Sequence, residues 1–411
     1  MEAISIRFNI SNPVQQALEI VQRERDIADE IAASVLSVES SAHSLVRLAC
    51  LEGRLYTCGG VFEFLSSRVQ ISDDSREAAR IFKAFHVELF SRRDLYLMVL
   101  QIRSHIEPSV ESERYLQRVL GDFECYGASL EDSEEQRLIR NCHLRIDELC
   151  AAFQRNLIED STALQFGKEE LLGLPDCFLK ERQQGDGFRL TLKYVDFFPV
   201  MKSCSVEATR RKMQVAFENR CADKNGAIAA EILSLRYEMG RVLKKSGGYA
   251  ELAQRNCMLN NPKAVHTFLH ELTGWLRPAA EQQRDGLVGR KRAHVEEEEA
   301  GGVFDGKLYA WDISFYHHET LRHTFGFDEI QSAIFPVDRV VDGLLRWYET
   351  LLGLEFREVE DVCRRFPSLV WHSDVRLFIV YDRDGKQEGQ GKGEDGCCSC
   401  CSRGGGGGGG G

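Results

Sequence analysis

Apolar residues return every three or four positions along most of this chain. After Asn12-Pro13, where Asn can cap a helix and Pro suits its first position, Val14, Leu18, Val21, Ala28, Ile31, Ala32 and Val35 trace one helical face. The same spacing runs through 77–106 (Ala78, Ile81, Phe82, Phe85, Leu89, Leu95, Val99, Ile102), 113–123 and 134–158 (Leu138, Cys142, Ile146, Leu149, Phe153, Leu157). Such stripes are stable only when buried, so these four segments predict an antiparallel helical array. Helices resume at 206–219, 226–243, 248–259, 262–276, 312–323 and 338–352, each bounded by Gly, Asn or Pro. The rhythm changes to period two at 188–194, after the turn-rich Gly185-Asp186-Gly187, and predicts a strand or hairpin arm. Two further strand-like runs, 354–356 and 375–381, predict a small, incomplete sheet near the C-terminal end of a mainly α fold. A lone strand leaves its backbone groups unpaired, and the partners of 375–381 are expected further along the chain.

Composition narrows the function classes. Of 411 residues 43% are apolar, enough for a sizeable core and for more than one domain. The net charge of −12 and the absence of a basic cluster argue against nucleic acid as a partner, since phosphates are bound by grouped Lys and Arg. No apolar run approaches the roughly 18–20 residues of a membrane span, and Met1–Arg7 has no basic-then-apolar leader pattern. Neither a membrane nor an exported protein is expected. Ten of the 14 Cys are scattered singly through helical patterns, as in a reduced, cytoplasmic chain. The stretch 286–302, with Lys291-Arg292 before Glu296-Glu297-Glu298-Glu299, reads as a solvated loop or an exposed helix end. From Arg383 the composition collapses: 383–411 holds 13 of the 35 Gly, four Cys and no other apolar residue, and is expected to be disordered.

Motifs for chemistry are scarce. Cys397-Cys398-x-Cys400-Cys401 lacks the second, downstream pair that a zinc site needs, and low-complexity sequence is the plainer reading. His266 and His270 share a helix face, but Thr267 stands where H-E-x-x-H needs its Glu, and the inverted form fails at Leu269. With Val265, Phe268, Glu271 and Leu272 around them, they read as helix surface and core edge. His317-His318-Glu319 with His323 lacks a third convergent ligand. No phosphate-binding loop and no nucleophile elbow occurs. No residue is assigned a catalytic, cofactor-binding or metal-binding role.

A run of motifs in order is more informative. Phe153-Gln154-Arg155-Asn156-Leu157-Ile158-Glu159-Asp160-Ser161, Glu170-Leu171-Leu172-Gly173-Leu174-Pro175, Thr191-Leu192-Lys193-Tyr194 with Phe198-Pro199, and Thr209-Arg210-Arg211 follow one another. Trp311-Asp312 with Tyr316, Phe335-Pro336, Gly343-Leu344-Leu345, Leu351-Leu352-Gly353-Leu354-Glu355-Phe356 and Trp371-His372-Ser373-Asp374-Val375 come after them. This series resembles the N-terminal and middle part of the thimet oligopeptidase and neurolysin family of zinc metallopeptidases. The resemblance implies an elongated helical body around a narrow channel that admits short peptides and excludes folded proteins. It also implies a zinc cofactor, held by an H-E-x-x-H helix and a later Glu, that activates water. None of those ligands stands in this chain. The expectation is therefore an N-terminal helical domain at 1–165, a helical region at 166–382 that starts the catalytic domain and is cut short before the zinc helix, and the tail at 383–411. By itself such a chain should hydrolyse nothing and hold no zinc. The alternative is a non-catalytic helical protein that binds peptides or a protein partner.

Overall fold

The computed structural model describes residues 12–34, 38–66, 73–107, 109–244, 247–297, 304–326, 335–366, 370 and 372–383. The tail from 384 on, with Cys397, Cys398, Cys400 and Cys401, lies outside the described residues, as does Trp371. The fold is mainly α, and the chain divides into two compact units, Met1–Leu144 with Phe335–Gly411, and Arg145–Ile334.

The first unit opens with α1 (Pro13–Ala33), α2 (Val38–Ser66), α3 (Asp73–Phe90), α4 (Arg93–His105) and α5 (Val110–Cys125), and the division falls within α6 (Ser133–Glu159). Asn12 caps α1 by accepting from the Gln15 amide at 3.4 Å, with Pro13 at the first position, as its spacing predicts. The long stripe over 77–106 is broken at Ser91-Arg92, where Arg92 is extended and its guanidinium is held by Asp29 and Asp94. Successive helices run antiparallel. Arg54 meets Glu24 and Arg47 meets Glu30, which sets α2 against α1. The pairs Arg25–Glu88 and Asp29–Arg92 advance together, however, so α1 and α3 run parallel rather than antiparallel. The reason is α2, which lies between them in sequence and takes up the reversal. Leu48, Leu51, Phe62, Phe82, Leu95, Ile102, Leu116 and Phe123 are buried in the resulting core, each contributing about 1.5–3 kcal/mol by leaving water.

The second unit begins with β1 (Ala163–Phe166), α7 (Asp176–Arg182), β2 (Gln183–Gln184) and β3 (Gly187–Thr191). The strands form an antiparallel sheet in the order β1-β3-β2, with Leu164 opposite Leu190. The strand expected over 188–194 ends at Thr191 because Asp196 draws the chain round: its Oδ2 accepts from the Thr191 amide at 2.8 Å and from its hydroxyl. There follow α8 (Tyr194–Ser203), α9 (Glu207–Glu218), α10 (Ala222–Val242), α11 (Gly248–Gln254), α12 (Pro262–Glu297) and α13 (Ala310–Phe325). Gly173, at φ +89°, sits where a Cβ would lie 2.3 Å from the Ser203 carbonyl, so no other residue fits that close approach. Residues 286–297 of the charged stretch expected to be a loop or an exposed end belong to α12, with Lys291 buried, and 298–302 lie outside the described residues.

The chain then returns to the first unit with α14 (Val337–Leu352), β4 (Leu354–Glu358), α15 (Val362–Arg365) and β5 (Phe378–Asp382). Gly353, in the left-handed region at φ +66°, ends α14. β4 and β5 pair antiparallel, Phe356 opposite Val380. This corrects one expectation: the partner of the last strand lies upstream, and Arg376 clamps the pair through two bonds to Glu358 at 2.8 and 2.7 Å. Among the described residues no helix is long and apolar enough to cross a membrane.

Candidate functional site

The densest polar chemistry of the second unit lies where α9, α12 and α13 meet. Arg210 comes from α9, Lys291 from α12 and Asp312 from the first turn of α13, and their relative exposures are 1, 3 and 0%. Asp312 Oδ1 accepts from Arg210 Nη2 at 3.0 Å, and Oδ2 from Lys291 Nζ at 2.7 Å and the Tyr309 amide at 3.0 Å. Arg210 also donates to the carbonyls of Cys204, Ser205 and Trp311, with its guanidinium 4.2 Å from the Phe315 ring centre. Glu207 closes the cluster by accepting from the Trp311 indole at 3.1 Å and pairing with Lys291 at 3.3 Å. Beside it, the His294 ring nitrogen Nδ1 and the Tyr316 hydroxyl are 3.1 Å apart.

This centre is saturated. Both oxygens of Asp312 are occupied by cations and an amide, and every nitrogen of Arg210 has an acceptor. A metal would have to displace Lys291 and Arg210. The arrangement ties three helices together, with excellent geometry offsetting the desolvation of its charges.

The residues weighed from sequence are placed differently. His266, His270 and Glu271 are exposed along α12, as are His317 and His323 on α13, where Glu319 is half-buried and lies 3.9 Å from the His323 ring. His318 Nδ1 is buried without a partner. Among the described residues no group of three or more His, Cys, Asp or Glu side chains could hold a metal ion. The described residues therefore do not fit a zinc site. Sequence reading passed over Lys291 because a Lys in a charge run carries no mark of burial, whereas Arg210 and Asp312 stood within ordered motifs.

Comparison with known proteins gives these motifs a context. Residues 200–393 match the model of peptidase family M3, and 373 residues, 85% of the chain, are 28% identical to oligopeptidase PhomG of Diaporthe leptostromiformis, covering 51% of that protein. The likeness to peptidase family M3 thus rests on just under half of the chain. Two further relatives extend the M3 likeness: saccharolysin of Saccharomyces cerevisiae, 29% identical over 78% of the chain and 46% of its own length, and a probable thimet oligopeptidase of Arabidopsis thaliana, 28% identical over 93% of the chain and 52% of its own. The chain thus spans about half the length of the curated relatives it matches. The M3 match takes in Arg210, Lys291 and Asp312, and also the β4–β5 pair.

Proposed function

We propose that this chain is the non-catalytic part of a zinc-dependent oligopeptidase that hydrolyses short peptides, and that by itself it cleaves none. The observation that carries the reading is the M3 match together with relatives named oligopeptidase over most of the chain. That the chain is the non-catalytic part rests on a sequence with no H-E-x-x-H among its 411 residues. Without two His ligands and the adjacent Glu there is nothing to hold zinc and deprotonate its water. On this reading 1–165 is a helical domain that shapes peptide access, and 166–382 holds the first part of the catalytic domain. The reading places the protein in the cytoplasm, where the ten free thiols of the described residues stay reduced.

The test is cleavage of an internally quenched short peptide by the purified chain, with added zinc and with a chelator. The expected signal is no greater than buffer in both. Chelator-sensitive cleavage that co-purifies with the chain would overturn the reading.

A further inference from the structure

The first unit contains a cavity of 1020 Å³ between α2, α3 and α5. On α2 its lining runs from Ala49 to Phe64, about 22 Å along the helix axis. The walls are mostly apolar, with Leu55, Phe64, Phe82 and Phe90 among them. Gly53 and Gly60 widen it, for a Cβ at either position would meet nothing within 4 Å.

One end of the cavity is polar. Glu52 Oε2 accepts from the Tyr115 hydroxyl at 2.6 Å and from Arg118 Nη2 at 2.8 Å, whereas Oε1 takes no hydrogen bond from the described residues. His86 opens onto the same space and is neutral near pH 7, because burial among its neighbours and the nearby His143 push its pKa down to about 4. The lining charges cancel in pairs, Glu52 with Arg118 and Glu63 with Lys83 at 2.9 Å. A charged occupant would find no uncompensated partner. A neutral one with a hydrogen to donate finds Glu52 Oε1. The volume is that of sites for small organic ligands, which pair apolar walls with a few polar groups that orient the occupant.

We propose that this cavity binds an uncharged amphiphile whose elongated apolar or aromatic body lies along α2 between Phe64, Phe82 and Phe90, and whose hydroxyl or N–H donates to Glu52 Oε1. The site is independent of peptide hydrolysis and uses residues outside the M3 match.

The probe is N-phenyl-1-naphthylamine, a neutral aryl amine that brightens in apolar surroundings, titrated into the full chain. Saturable binding is expected. Gly60→Leu puts a side chain into the open cavity and replaces a poor helix former, so it should melt at or above the parent temperature while weakening probe binding by at least about tenfold. Gly53→Leu fills the same space from another turn and serves if Gly60→Leu does not fold. Trp347→Glu, on the exposed face of α14, should leave the affinity unchanged. A long-chain alcohol should displace the probe and an alkyl sulfonate of equal length should not. Affinity retained by a folded filled variant, loss of the signal in Trp347→Glu, or equal displacement by alcohol and sulfonate would each overturn the proposal.

Discussion

Two histidines flank Tyr126 in the first unit. The His143 ring stacks on it at 3.9 Å between ring centres, and the His86 ring stands edge-on at 5.4 Å. Burial lowers the pKa of both, and His143 and Arg118 press His86 further, to about 4. An unfolded His titrates near about 6.5, so between that value and the folded pKa the unfolded chain binds more protons. Stability from this pair is complete above about 6.5 and is lost as the pH falls toward 4. The urea midpoint should therefore drop between about pH 7 and about pH 5, and His86→Gln should flatten that slope. A midpoint that rises on acidification would contradict the assignment. Neither histidine stood out in the sequence, whereas His266, His270, His317 and His323 did; these are exposed, but so is His86, and what sets His86 apart is the packing of Phe90, Tyr126 and His143 around its ring. Helical register shows which residues share a face. It does not show what packs beside that face, and a titration is shifted by those neighbours rather than by register.

At the scale of elements, α9, α12 and α13 are joined by Asp312. Asp312→Ala leaves Arg210 and Lys291 buried without their carboxylate, and removal of one member of such a cluster costs about 3–5 kcal/mol. A large fall in the urea midpoint is expected, with Glu231→Ala, which breaks an exposed pair with Arg145, leaving it almost unmoved. Comparable effects of the two substitutions would show that the buried cluster holds nothing together. The helices themselves were legible wherever an apolar stripe met a capping residue, as at Asn12-Pro13. The break between α3 and α4 was not, because the stripe continues across it and only Arg92, reaching Asp29 on another helix, marks the turn. The partner of β5 was misplaced for a related reason. A strand's alternation tells which side faces inward, but pairing depends on which edge is nearby, and β4 is brought there by a connection that carries α15.

At the scale of the molecule, the mainly α character was legible because helical periodicity is local. The grouping of 1–144 with 335–411 was not, since association between segments so distant in sequence leaves no periodic trace. The first unit also carries an exposed apolar face. α14 has no buried residue, and Val337, Trp347 and Leu351 are 76, 72 and 68% exposed, with Val340, Leu344 and Tyr348 beside them. A contiguous face of this kind drives association. Sedimentation velocity should show concentration-dependent self-association that Leu344→Glu with Trp347→Glu suppresses, and a strict monomer at every concentration would refute it. In a cell the same face has a different reader. A molecule displaying so many exposed apolar side chains on α14 is expected to meet the chaperones and proteases that triage unfolded chains. Its abundance is then expected to follow that triage as well as the stability of its folded units.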